Sequence, residues 1–252
     1  MPTCKGVYIW GIHAIAQAWL NPARRCFNLF LTQNAYKSLE STLALAEKRH
    51  LKRPSPLLVE QDELARLTPK GSVHQGAVLD ASPLPVLSLD DLLAKEPFPE
   101  LLILLDQVTD PHNVGAVLRS AASFGANGVI MPQHGAPSLT GTLIKSASGA
   151  AEHVPLVHVV NLARTIRALQ QEGFFCIGLA EEGQRRLDQE NLTKAPLALV
   201  LGGEGDGLRA LTRKHCDCLA SLPTCPPIGS LNVSNAAAIA LYEVARQKLS
   251  TT

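Results

Sequence analysis

Three short stretches carry the side chains whose types and spacing suit chemistry. The first is Ser230-Leu231-Asn232-Val233-Ser234-Asn235, fed by a Pro- and Gly-rich loop from Leu222 to Gly229 and followed by Ala236-Ala237-Ala238. Pro and Gly do not carry a strand or helix onward, and the alanines predict a tightly packed helix, so short polar side chains gather at a loop-to-helix junction. Helix capping alone also explains such a set. The second stretch, Asp106-Gln107-Val108-Thr109-Asp110-Pro111-His112-Asn113-Val114-Gly115, leads to Arg119. A guanidinium near such a loop suits a phosphate or ribose contact, the plainer alternative being a solvated surface arginine. The third is Gly202-Gly203-Glu204-Gly205-Asp206-Gly207-Leu208. Its glycines permit positive φ and close backbone approach to a ligand. The Glu204 carboxylate repels phosphate and suits a cation or a hydroxyl-bearing ligand, unless it is simply an exposed turn acid. The loop is not a dinucleotide fingerprint, because Leu208 stands where a third glycine is required, and the chain has no phosphate loop of the G-x-x-x-x-G-K-S/T type.

Strands must present these loops. Leu101 to Leu105 is a wholly apolar run bounded by Asp106, as expected of a strand buried on both faces of a parallel sheet. Asn113 reads as an N-cap and Gly125 as the residue past a helix end, predicting a helix from Val114 to Phe124 with Arg119 on its first two turns. Strands at Gly128–Met131, Leu156–Val160, Phe174–Ala180 and Leu197–Leu201, a polar stretch at Lys145–Gly149, and a helix from the Asn161 cap to Gly173 continue a strand, loop, helix rhythm. In open sheets of that class ligands bind at the carboxyl ends of the strands. The first eighty residues read as a small α/β unit: helix Ile12–Leu20 after a turn at Gly11, strand Cys26–Thr32, helix Ser38–Arg49, and strands Leu57–Val59 and Ala77–Leu79 around helix Asp62–Leu67. His74-Gln75-Gly76 forms the turn before the last strand. Residues 81–99 carry Pro83, Pro85, Pro97 and Pro99 with one short helix at Leu89–Ala94, the composition of a linker.

At 252 residues, 46% hydrophobic and 18% charged, the chain describes an ordinary soluble globular protein of one large or two modest domains. No apolar run approaches the length that crosses a bilayer, and Met1-Pro2-Thr3-Cys4-Lys5 lacks a signal-peptide core, so the expected location is cytoplasmic, with no membrane partner. The net charge of +1 is unevenly spread: residues 1–80 hold ten Lys and Arg against six Asp and Glu, residues 81–100 one against four, and the remainder twelve of each. Arg24-Arg25, Lys48-Arg49 and Lys52-Arg53 are consistent with a nucleic-acid partner and equally with a solvated helix face. Six cysteines without C-x-x-C spacing predict reduced, mostly buried thiols and no metal. The one metal-like cluster, His215-Cys216-Asp217-Cys218, reads as a strand whose alternation points its ligands to opposite faces.

Taken in order, the three stretches resemble the motifs of the SpoU-type (TrmH-like) RNA ribose 2′-O-methyltransferases: Asp106–Arg119 the first, Leu199–Leu208 the second, Leu222–Glu243 the third. Gly11-Ile12-His13-Ala14-Ile15 and His74-Gln75-Gly76 are similar to that family's L30e-like substrate-recognition domain. The two-domain layout most resembles the subgroup that methylates a guanosine in the P-loop of 23S rRNA. The resemblance implies an α/β fold with an L30e-like RNA-binding domain at residues 1–80, a linker at 81–99, and a parallel-sheet SPOUT methyltransferase domain at 100–252 ending in a trefoil knot. It also implies a homodimer, an RNA partner (rRNA foremost) and S-adenosylmethionine as cofactor. Carried over position by position, cofactor binding falls to Gly202, Leu222 and Leu231 with Gly203 and Leu201 beside them, and the polar active-site set is Asn113, Arg119, Glu204, Ser230 and Asn232. In that scheme Arg119 stabilises the developing alkoxide or, alternatively, acts as base; Asn232 and Ser230 orient the nucleotide or the methionine end; Glu204 holds Asn232 or a substrate donor. Gly203, Pro226, Pro227 and Asn235 depart from common forms of the motifs. A tRNA ribose methyltransferase shares the same motifs, although a whole domain ahead of them favours rRNA. A non-catalytic RNA-binding protein could dispense with Arg119 and Asn232, both of which are present, and a dehydrogenase lacks its fingerprint here.

Overall fold

The computed structural model describes residues 6–137, 139–225, 227 and 229–250; Pro226, one of the departures noted above, lies outside the described residues. In chain order the first elements are β1 (Val7–Trp10), α1 (Ile12–Leu20), β2 (Cys26–Leu31), α2 (Gln33–Lys48), β3 (Leu57–Leu58), α3 (Gln61–Leu67) and β4 (Ala77–Ala81). There follow α4 (Leu89–Leu93), β5 (Leu101–Asp106), α5 (Pro111–Ser123), β6 (Gly128–Pro132), α6 (Gly141–Ser146), β7 (Leu156–Val159), α7 (Leu162–Gln171), β8 (Phe175–Leu179), β9 (Arg185–Arg186), β10 (Leu197–Gly202), α8 (Ala210–His215), β11 (Cys218–Ser221) and α9 (Val233–Leu249). The chain divides into two compact units, residues 1–85 with 138–153, and residues 86–137 with 154–252.

The first unit is a four-stranded sheet in the order β1-β4-β2-β3, antiparallel except where β3 lies along β2. Ile9, Leu29, Leu31 and Leu79 of the strands bury against Ala14, Ile15, Ala18 and Trp19 of α1 and Leu39 of α2. The α2 helix starts five residues before the expected Ser38 because Thr32 caps it, its side chain accepting from the Ala35 N–H. Residues 139–153, which nothing in the composition sets apart, pack into this unit: Ile144 joins the core, and a Cβ on Gly141 would lie 2.0 Å from the Trp10 ring. Glu152 is the deeper anchor. Its buried carboxylate accepts from Arg24 Nε at 3.1 Å, Arg24 Nη2 at 2.8 Å and Asn21 Nδ2 at 2.8 Å, and Arg24 also donates to the Ser82 carbonyl.

The second unit is a seven-stranded parallel sheet in the order β7-β6-β5-β10-β8-β11-β9. Every residue of β5 is buried, which is why Leu101–Leu105 is an uninterrupted apolar run that does not alternate, with Asp106 the one charged residue at its end. Leu102, Leu104, Ala198 and Val200 pack with Leu92 of α4 and Leu162, Ile166 and Leu169 of α7. Against α5 packs α9, with Ala237, Ala240, Leu241 and Val244 buried.

Some local expectations change. The α5 helix begins at Pro111, capped by Asp110, whose carboxylate accepts from His112 N–H at 2.9 Å, so Asn113 is not the cap but sits inside the first turn. Proline favours the first helical position because its missing N–H is needed by no intrahelical bond there. His215 closes α8 while Cys218 opens β11, so this cluster is not one alternating strand. Among the described residues no group of three or more His, Cys, Asp or Glu could hold a metal ion, and no helix is long and apolar enough to cross a membrane. The described cysteines are free, but only Cys176 is buried and Cys225 is exposed. Burial pushes the Cys216 thiol up to about 12 and that of Cys218 to about 11.

Candidate active site

The two central strands end side by side, with Gly202 of β10 in register with Asp106 of β5. Beyond Asp106 the chain turns sharply at Gln107, which takes a left-handed φ of 59°. Beyond Gly202 the backbone passes so close to its neighbours that side chains are excluded. A Cβ on Gly202 would lie 2.1 Å from the Gly207 carbonyl carbon, and one on Gly203 would lie 2.5 Å from the Gln107 oxygen. The glycines at 202 and 203 are thus steric requirements of two turns pressed together. Gly205 (φ 94°) and Gly207 (φ 64°) then fold the loop back, Gly207 forming a bridge to Gly203.

Glu204 rides on this loop and meets two amides from different elements. Its Oε1 accepts from Asn113 Nδ2 at 2.9 Å and from Asn232 Nδ2 at 2.6 Å, while Asn232 Nδ2 also donates to Asn113 Oδ1 at 3.0 Å. Asn232 is the N-cap of α9, its Oδ1 accepting from Ser234 N at 2.8 Å and Ser234 Oγ at 2.6 Å. Every polar atom of the Asn232 amide is therefore engaged, which fixes its rotamer and hence the face it shows. Three loops that are distant in sequence converge on one carboxylate, as the carboxyl-end rule for open α/β sheets anticipates.

A cavity of about 480 Å³ opens beside this cluster. Leu201, Gly202, Gly203 and Glu204 line it from β10 and its loop, and Leu222, Ser230, Leu231 and Asn232 from the loop that feeds α9. Leucines give apolar walls, the glycines give main-chain donors and acceptors, and Glu204 gives a negative end; a small molecule with an apolar ring and a cationic or hydroxylated part fits that distribution. Asn113 does not line the cavity and reaches it through Glu204 and Asn232. Arg119 is exposed on the third turn of α5, not on the first two, because the helix starts earlier than Asn113 suggested, and it is not part of the cavity wall. The reading of the sequence missed Leu179, Ala180 and Glu181 at the end of β8, and Thr224, all of which line the cavity. The carboxyl end of β8 stands beside that of β10, so the same rule would have found it had the strand order been known.

Comparison with known proteins places this geometry in a context. Residues 100–242 match the SpoU rRNA Methylase family, and residues 8–87 match the family described as RNA 2'-O ribose methyltransferase substrate binding. A 23S rRNA (guanosine-2'-O-)-methyltransferase, RlmB, of Pseudomonas putida is 41% identical over 95% of this chain and 96% of its own length. The protein of the same name in Escherichia coli K12 is 42% identical over 95% of this chain and 98% of its own. Among solved structures, the SpoU methyltransferase AviRb from Streptomyces viridochromogenes, in complex with AdoMet, superposes with a TM-score of 0.77 at 25% identity, covering 98% of this chain and 91% of that one. An RNA 2'-O ribose methyltransferase with a TM-score of 0.79 and 22% identity, covering 98% of this chain and 90% of its own, shares the fold.

Proposed function

This chain belongs to the SpoU rRNA methylase family, and we propose that it methylates the ribose 2′-hydroxyl of a guanosine in the P-loop of 23S rRNA, using S-adenosylmethionine. The observation that carries the reading is identity of 41% and 42%, along nearly the whole chain, with two proteins named for guanosine 2'-O-methylation of 23S rRNA. The residues present suit the cofactor. Leu201, Leu222 and Leu231 would flank its purine, Gly202 and Gly203 would bring main-chain groups within reach, and Glu204 favours a nearby cation. S-adenosylmethionine supplies an electrophilic methyl group on a sulfonium. The chain's task is then to hold a ribose oxygen in line with that group, and positioning of this kind supplies much of the rate.

In this scheme Asn113, Glu204 and Asn232 act as one hydrogen-bonded set that, with Ser230, orients the ribose or the methionine end. Arg119 stabilises the developing alkoxide. A guanidinium with a pKa above ~12 is a poor base but a good electrostatic partner. Residues 1–80 serve as an L30e-like RNA-binding domain, a role supported by the family match over residues 8–87. Residues 81–99 lead into the methyltransferase domain at 100–252, with Leu92 of α4 packed in the second unit's core and residues 139–153 packed in the first unit; the C-terminal part of that domain is knotted as a trefoil. A homodimer is supported by the exposed Leu231, Ile239 and Tyr242 on and beside α9. An rRNA substrate sets the work in the cytoplasm.

The test is to map ribose methylation in rRNA and tRNA from cells with and without the protein. One guanosine of 23S rRNA should lose its methyl group and regain it on complementation; loss confined to tRNA would overturn the substrate. In vitro, Arg119→Ala should abolish transfer while calorimetry still records cofactor binding, and retained transfer would remove Arg119 from the catalytic set.

A further inference from the structure

Asp106 lies outside the polar set just described, yet it holds both ends of the loop that carries Glu204. It is fully buried at the end of β5. Its main-chain oxygen accepts from the Gly203 N–H at 2.8 Å, one residue before Glu204. Its carboxylate accepts from the other end of the loop: from Arg209 N at 3.0 Å to Oδ2, and from Arg209 Nε and Nη2, each at 2.7 Å, to Oδ1. Between these anchors Gly205 and Gly207 hold positive φ, and the Gly203–Gly207 bridge ties the loop only to itself. A loop of such freedom keeps one shape only if its ends are fixed, and a desolvated carboxylate facing a guanidinium is among the strongest and most directional ways to fix them.

We infer that Asp106 is a positioning residue for methyl transfer, clamping residues 203–209 so that Glu204 meets the amides of Asn113 and Asn232 in a single geometry. The inference rests on the reading of Glu204 as part of the active-site set. Arg209 completes the clamp; its side chain is 45% exposed, so the pair is not a closed element of the core. Neither residue touches the reacting atoms, and both act through the carboxylate they place. Loosening the clamp lets Glu204 drift by a fraction of an ångström to an ångström, a displacement that lowers turnover by about a hundredfold.

The experiment is a mutant cycle on the full-length protein, with transfer of tritiated methyl from S-adenosylmethionine to protein-free 23S rRNA as the readout. Asp106→Asn keeps the size and an acceptor but loses the charge; Glu204→Gln keeps the shape of the second residue. Each single variant should lower kcat about a hundredfold. The double variant should fall no further than Glu204→Gln alone, within about threefold, because the clamp has no carboxylate left to position. A merely structural role predicts instead that the losses multiply, and that result overturns the inference. Full turnover in Asp106→Asn beside an impaired Glu204→Gln overturns the role of Asp106 alone, whereas full turnover in Glu204→Gln overturns the reading of Glu204 and the clamp with it. Should Asp106→Asn fail to fold, Arg209→Ala, which alters the half-exposed partner, takes its place in the same cycle.

Discussion

Two carboxylates, Glu152 in the first unit and Asp106 in the second, are both wholly buried and both paired with arginine, yet the pairs differ in what lies beyond them. The Arg24 side chain is 1% exposed, and with Asn21 it surrounds Glu152, so both charges have left water and the pair ties a distant segment, residues 139–153, into the unit. Arg209 keeps 45% of its side chain in solvent, and the group it holds anchors a glycine loop at the cavity. The first pair joins core elements; the second ties down a loop that lines the cavity. The number of hydrogen bonds does not distinguish a structural ion pair from a functional one. Whether one partner stays wet, and what the tied loop carries, does.

Breaking the closed pair should have the largest effect. Glu152→Ala leaves Arg24 charged, buried and without its main partner, at a cost of about 3–5 kcal/mol in denaturant unfolding. Replacing both together, Arg24→Met with Glu152→Leu, should recover part of that loss, since apolar side chains of similar volume need no desolvation while Asn21 and the Ser82 carbonyl lose their partners. Unchanged stability in Glu152→Ala would remove the contrast. Arg209→Ala should cost less stability, about 1–3 kcal/mol, because solvent reaches the carboxylate it leaves and the Arg209 N–H still donates. Its turnover should nevertheless fall about a hundredfold. The two variants thus separate a loss of folding from a loss of rate, read by unfolding and by methyl transfer on the same preparations.

Ala237→Leu tests the fully buried stripe of α9 where no charge is involved. Overpacking there should cost about 1–3 kcal/mol and, by moving α9 away from α5, should weaken cofactor binding and dimerisation together; a variant that dimerises and binds normally would unlink the two. The smallest effect belongs to a third carboxylate, Asp91, which is fully exposed and closes a capping box on α4. It accepts from Ser88 Oγ at 2.7 Å and Ser88 N at 2.9 Å, and these bonds hold its carboxyl below the usual value. A depressed folded value means the stabilisation is present above the unfolded pKa, near 3.8, and fades as pH falls through the lower folded one. Ser88→Ala should cost about 1 kcal/mol at neutral pH, and the difference from the parent protein should shrink below about pH 4.

Much of the second unit was legible because its signals are local. Leu101–Leu105 and Leu197–Leu201 are apolar without interruption, which marks central parallel strands, and the glycines and polar residues after each run mark the loops that meet over the cavity. What stayed hidden depends on long-range pairing. Asp106 and Arg209 are 103 positions apart, and nothing in either neighbourhood announces the other. Residues 139–153 look like a continuation of the strand and helix rhythm, and only Glu152 and Gly141, once placed, explain why they pack with the first unit. The start of α5 was legible locally. Asn113 is a common cap type, but Asp110-Pro111 is the stronger start signal, with proline at the first helical position, and reading it correctly would have put Arg119 one turn further from the loop.

The register of β5 against β10 also has a consequence in time. β5 ends at residue 106 and its central neighbour begins at residue 197, so during synthesis at roughly 5–20 residues per second the first strand waits roughly 5–20 s for its partner to be made. Throughout that interval one edge of a strand with five consecutive apolar residues has no hydrogen-bonding neighbour of its own, the condition under which nascent chains aggregate. The pocket itself forms later still, since the Asn113–Asn232 bond spans 119 residues. A ribosome making this protein therefore carries an unfinished sheet for most of the second unit's synthesis, and the cavity closes only once α9 is added.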